Sequence, residues 1–202
     1  MKTRVVQAIE IHSAINILQR GGLVAFPTDT IYGLGALAFN NQAIEAIYAA
    51  KNRPLEKAIP ILFADVQDLD KVAADIPDMA RTYASRFWPG PLTCIVPKNS
   101  TLPPAVSSTP TVAVRIPDHP VARALFRAAG PMAVTSANIS GGANPCTAQE
   151  VYSQLNGRIP LILDGGITPG GVPSTVVDCT GSQPRIVREG PISLADLLSA
   201  LG

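Results

Sequence analysis

Lys51 and Arg53 stand two residues apart in Lys51-Asn52-Arg53-Pro54, where a run with Ile44, Ile47 and Tyr48 at helical spacing comes to an end. Lys51 continues that apolar stripe. Side chains two apart on a helix do not face each other, but Pro54 turns Arg53 out of helical geometry, so both cations can converge on one anion. The alternative is that they only complement the helix dipole at its C-terminus. Upstream, the apolar run Leu23-Val24-Ala25-Phe26 breaks at Pro27 into Thr28-Asp29-Thr30, three short oxygen-bearing side chains, and then Gly33 and Gly35. Hydroxyls and glycine N–H groups can hold a carboxylate or phosphate. Gly33-x-Gly35-x-x-Ala38 is a loose dinucleotide fingerprint, but Phe39-Asn40-Asn41 interrupts any helix opening on it. The favoured reading there is a loop needing glycine for positive φ.

Two further stretches place polar groups at strand ends. Thr111-Val112-Ala113-Val114-Arg115-Ile116 alternates, with Val112, Val114 and Ile116 facing one way and Thr111, Ala113 and Arg115 the other. Arg115 there is either the solvated side of a half-buried sheet or, beside a second polar cluster, part of a site. Thr135-Ser136-Ala137-Asn138 is such a cluster. It follows an apolar strand, and α/β sheets bind ligands at strand C-terminal ends. Its uncharged hydroxyl and amide suit sugar or phosphate oxygens, and a structural turn is the alternative. The glycine-rich loop Gly165–Pro173, leading to Ser174, reads as a lid or a plain crossover. No Ser/His/Asp set suggests a nucleophilic hydrolase, and His12 and His119 read as structural.

The elements that must position these groups alternate along the chain. Strands are expected at Arg4–Ala8, Leu23–Phe26, Ile59–Ala64, Leu92–Val96, Thr111–Ile116, Met132–Thr135, Leu161–Leu163, Thr175–Asp178 and Arg185–Val187. Helices are expected around Ile11–Leu18, from Asn41, at Val66–Ala74 and at Pro77–Phe87. A further helix is capped by Asp118, and two more open with Thr147-x-x-Glu150 and Ser193-x-x-Asp196. Interleaved strands and helices argue for an α/β single domain, residues 1–202. Its sheet would be large, mixed parallel and antiparallel, and flanked by helices.

Composition bounds the rest. Hydrophobic residues are 47% and charged residues 15% of the 202-residue chain, enough for a large core, and the net charge of +1 does not indicate a strongly basic nucleic-acid binder. Cys94, Cys146 and Cys179 are scattered, without zinc-site spacing, which fits a reducing cytoplasm. No signal-peptide pattern or bilayer-length apolar run is found.

PTDTIYGLG (Pro27–Gly35), KNRP (Lys51–Pro54), TVAVRIPDHP (Thr111–Pro120), TSANISG (Thr135–Gly141), PSTVVD (Pro173–Asp178) and VREGPI (Val187–Ile192) occur in the order and rough spacing of one family. The chain resembles the YrdC-type threonylcarbamoyl-adenylate synthases of tRNA modification, in their single-domain form. Larger members carry a second C-terminal domain. The resemblance implies a reaction of L-threonine, bicarbonate and ATP giving threonylcarbamoyl-adenylate and pyrophosphate. It implies Lys51 and Arg53 as catalytic cations. ATP would meet these two with Lys57, Thr111 and Ser136, and further with Asn138, Asn144 and Arg188. Threonine would meet Thr30, Leu62, Arg115, the Val134 backbone and Ser174. The chain departs from the family's frequent residues at three of these positions: Lys57 stands for Asn, Leu62 for His and Asn144 for Ser.

The chemistry of such a step is positioning plus electrostatic stabilisation of a carbamate attacking an α-phosphate. Mg2+ is expected to arrive with ATP, liganded by phosphates and water, with no protein-held metal. Downstream tRNA threonylcarbamoyl-transfer machinery is the implied partner. A contact with tRNA or double-stranded RNA stays open, and no membrane is involved. The competing readings are an RNA-binding module, disfavoured by the +1 charge and 5% aromatic content, a carbamate-adenylating paralogue as in hydrogenase maturation, and a dinucleotide-dependent oxidoreductase using Gly33-x-Gly35.

Overall fold

The computed structural model describes residues 2–170 and 172–202. Among them, ten strands form one sheet: β1 (Arg4–Gln7), β2 (Val24–Phe26), β3 (Gly33–Leu37), β4 (Ile61–Leu62), β5 (Leu92–Pro97), β6 (Thr111–Arg115), β7 (Met132–Ser136), β8 (Leu161–Asp164), β9 (Thr175–Asp178) and β10 (Arg185–Arg188). Their spatial order is β1-β8-β2-β3-β7-β4-β6-β5-β9-β10. β8 is parallel to β1 and β2, β4 to β6, and β5 to β9, while β3 is antiparallel to both β2 and β7. The mixed sheet anticipated from the sequence is therefore present.

The helices are α1 (Ile11–Gln19), α2 (Asn41–Lys51), α3 (Leu69–Val72), α4 (Asp78–Phe87), α5 (Pro120–Ala129), α6 (Ala148–Leu155) and α7 (Leu194–Leu201). They divide between the sheet's two faces. Residues of α2, α3, α4, α6 and α7 pack with Ala25, Ile61, Cys94, Val112 and Val114 in one core. Residues of α1 and α5 pack with Val24, Phe26, Leu62, Met132 and Val134 in the other. Because successive side chains on a strand point to opposite faces, Ala113 and Arg115 of β6 turn toward the α1/α5 side. Those two helices cover it only as far as about β7. The remaining stretch of that face, over β4, β6, β5 and β9, is open to a cavity instead of a helix.

Both capping boxes are formed, at Thr147 with Glu150 and at Ser193 with Asp196. Four local expectations change. Gly33 and Gly35 lie in β3, not in a loop, and neither has positive φ. Space is what demands glycine there: a Cβ would come within 2.8 Å of the Val134 side chain at Gly33 and within 2.8 Å of Met132 at Gly35. β4 is two residues long, because Pro60 at its start has no N–H for a ladder. α3 is a single turn after the 3-10 turn Val66–Asp68. α5 starts at Pro120 with His119 as its cap and no side-chain cap bond, so Asp118 does not cap it. Proline at the first helical position fixes the entry angle instead.

Candidate active site

A cavity of about 290 Å³ sits on the open part of the sheet. Thr30, Leu62, Arg115, Val134 and Ser174 meet in it at one end, and Arg53, Ser136, Asn144 and Arg188 also line it. Its wall carries three arginines and no carboxylate, so anionic ligands are favoured.

Arg115 is 5% exposed. It is the last residue of β6, and its side chain lines the cavity. Its Nε donates to the Gly90 carbonyl at 2.9 Å, Nη1 to Thr30 Oγ1 at 3.3 Å, and Nη2 to Asp29 Oδ1. Burial lowers its pKa and Asp29 raises it again. Leu62 lies beside Arg115 in the β4–β6 register, and Val134 adds a second apolar surface. The Val134 N–H donates to the Pro60 carbonyl at 2.9 Å, and Pro60 has no N–H to return to the Val134 carbonyl.

Ser174 joins this end to Arg188. Its hydroxyl is 2.8 Å from Thr93 Oγ1, and Arg188 donates to its carbonyl at 2.7 Å and its hydroxyl at 3.1 Å. Burial lowers the Arg188 pKa, and the neighbouring Arg115 lowers it further. Arg115 is paired with Asp29 while Arg188 bonds only the uncharged Ser174, which leaves a positive charge for a ligand. At the other end, Arg53 is fixed by its own segment: Nε donates to the Lys57 carbonyl at 3.1 Å and Nη2 to the Ala58 carbonyl at 2.8 Å.

A family model for Sua5, YciO and YrdC proteins, described as "Telomere recombination", matches residues 16–190. The chain belongs to the Sua5/YciO/YrdC family. It is 43% identical to the threonylcarbamoyl-AMP synthase of Bacillus subtilis over 96% of its own length and 57% of that protein's. It therefore spans little more than half of that relative. A threonylcarbamoyl-AMP synthase of Marinobacter nauticus is 37% identical over 82% of this chain and 89% of the relative. The structure of P. abyssi Sua5 complexed with L-threonine superposes with a TM-score of 0.93 at 39% identity, covering 100% of this chain and 60% of that one.

Several positions that the Sua5/YciO/YrdC resemblance assigns to ATP stand outside the cavity lining. Lys51 is 1% exposed, with its ammonium on the Ser136 carbonyl, the Asn138 carbonyl and, at 3.3 Å, Asn138 Oδ1. Burial, and then Arg53, push its pKa down to about 7. Lys57 is exposed and contributes its backbone carbonyl to Arg53 and to Tyr48 Oη. Asn138 is buried, its amide donating to the Ile139 and Gly142 carbonyls, and Thr111 Oγ1 is 3.0 Å from Thr109 Oγ1.

Three residues that the sequence reading did not assign matter to this family member's site. Asp29, grouped there with anion-holding hydroxyls, is instead the counterion of Arg115. Its signal was a carboxylate inside a loop otherwise suited to anions. Thr93 is 3% exposed and orients Ser174, with no sequence signal beyond a hydroxyl in a strand. Tyr32 donates from Oη to the Gly166 carbonyl at 2.7 Å and anchors the start of the glycine-rich loop. Its burial pushes its pKa up to about 12, so it remains a donor. Gly171 of that loop lies outside the described residues. Gly170 sits so close to Thr30 that a Cβ would overlap the Thr30 carbonyl oxygen, so the loop packs directly on the Thr30 end of the cavity.

Proposed function

We propose that the chain is an L-threonylcarbamoyladenylate synthase, a nucleotidyltransferase that joins L-threonine, bicarbonate and ATP and releases pyrophosphate. The observation that carries this reading is a buried arginine, Arg115, aimed with Thr30 into a cavity whose remaining cations are Arg53 and Arg188. The relatives named threonylcarbamoyl-AMP synthase support it, as does the likeness to a Sua5 that binds L-threonine.

In this reading Arg115 and Thr30 take the threonine carboxylate and hydroxyl, with Leu62 and Val134 against its apolar part. Planar, bidentate guanidinium suits a carboxylate. Arg53, Arg188, Ser136 and Asn144 take the triphosphate and ribose, stabilising charge on the attacked phosphate and on departing pyrophosphate. The carbamate forms between the two ends, beside Ser174 and Arg188, as the threonine amine attacks the bicarbonate carbon and water is lost. Reactants held this way need no enzyme nucleophile, since orientation and desolvation supply the acceleration. Mg2+ would enter with ATP, sharing phosphates and water as ligands, because the cavity wall offers hydroxyls rather than carboxylates. The product would pass to tRNA threonylcarbamoyl-transfer machinery in the cytoplasm, with direct contact to tRNA or double-stranded RNA at the cleft as an extension of the same reading.

One assay tests the proposal: pyrophosphate release with ATP, bicarbonate and single amino acids. Release with threonine alone is expected, and release without any amino acid, or none at all, would overturn it.

A further inference from the structure

Lys51 and Arg53 read as a pair in the sequence, yet only Arg53 reaches the cavity wall. Lys51 has three N–H donors and no acceptor, and three carbonyl-type oxygens of one turn receive it: Ser136 O, Asn138 O and Asn138 Oδ1. No carboxylate pairs with it among the described residues. Residue 51 also holds the same turn from its backbone, since the Ser140 N–H donates to the Lys51 carbonyl at 2.8 Å. The Ala137 N–H is fastened to the Tyr32 carbonyl at 2.8 Å. Converging carbonyl dipoles repel unless a cation or donor stands at their focus, and the Lys51 Nζ donors supply that focus. With it, the Ser136 and Asn138 carbonyls point inward while Ser136 itself lines the cavity.

We propose that Lys51 is a positioning residue, an internal strut that shapes the Ser136–Asn138 turn for the nucleotide and does not itself touch phosphate. The role of the turn rests on the reading above, whereas the strut itself does not.

The test has three arms. In nucleotide-free protein, amide hydrogen exchange at Ala137 and Ser140 is expected to rise at least tenfold in Lys51→Met and to stay unchanged in Arg53→Ala. In the wild type, which avoids any folding defect of a variant, NMR couplings across the hydrogen bonds from Lys51 Nζ to the Ser136 and Asn138 carbonyl carbons are expected, and they persist on adding ATP. In a double-mutant cycle on kcat/KM for ATP, Lys51→Met and Ser136→Ala are expected to be non-additive, because releasing the Ser136 carbonyl in Lys51→Met already displaces the hydroxyl that Ser136→Ala removes. Unchanged exchange in Lys51→Met, couplings that vanish with ATP, or full additivity would each overturn the proposal. If the wild type releases no pyrophosphate with threonine, the adenylation reading fails by itself, and the exchange and coupling arms still decide the strut.

Discussion

Arg115 and Asp29 form a buried ion pair, their side chains 6% and 11% exposed, across two intervening strands. Asp29 lies in the loop joining β2 to β3, Arg115 stands at the end of β6, and β7 and β4 run between β3 and β6. Breaking a buried pair by removing one partner strands the other charge, at a cost of about 3–5 kcal/mol. Asp29→Ala is accordingly expected to lower the unfolding free energy by about 3 kcal/mol in urea titrations. It should also raise the threonine KM about tenfold, by freeing Arg115 Nη2 from its fixed direction. A threonine KM equal to wild type would show that Gly90 and Thr30 alone orient Arg115.

The two ends of the cavity should separate kinetically. Arg115→Ala is expected to raise the threonine KM roughly a hundredfold, in line with a lost charge-assisted contact of about 3 kcal/mol, and the ATP KM much less. Arg53→Ala is expected to do the reverse and to lower kcat as well. Equal effects of either variant on both substrates would mean that the ends are wrongly assigned.

Gly170 is a steric rather than a chemical test. Alanine there cannot fit without moving the loop or the Thr30 backbone. Gly170→Ala should therefore weaken threonine binding by about tenfold or more, with a melting temperature close to wild type, because Gly170 lies in a loop and not in an element of either core. Isothermal titration with threonine reads this directly, and unaltered affinity would place the loop away from the amino acid.

Lys51 should leave a signature in stability against pH. Its folded pKa, about 7, lies below the ordinary lysine value of 10.5. Between those values the unfolded chain binds more protons, so stability rises with pH, by on the order of 1.4 kcal/mol per unit within the window. Below about pH 7 the burial of the charged form is felt in full. Unfolding free energies measured from pH 7 to 9 should climb more steeply in the wild type than in Lys51→Met, and parallel slopes would contradict the shift.

How much of the site was legible depended on the range of the interactions involved. The alternation of β6 placed Arg115 opposite Val112 and Val114, because period two is a local property of the strand. The capping boxes at Thr147 and Ser193 were readable for the same reason. The glycines of β3 were misread as a loop because the reason for them is a close approach of Val134 and Met132, about a hundred residues away. Asp29 looked like part of an anion site because its partner is 86 residues distant.

The amino-acid order alone determined the α/β class, the family motifs and the presence of cations at Lys51, Arg53, Arg115 and Arg188. Local periodicity and side-chain chemistry suffice for those. The tertiary structure alone decided where each cation points. A lysine head rides on a flexible four-carbon stem, and its direction follows whatever acceptors the fold brings near. For Lys51 these are carbonyls 85 and 87 residues along the chain, which draw it into the interior while Arg53, two residues on, faces the cavity.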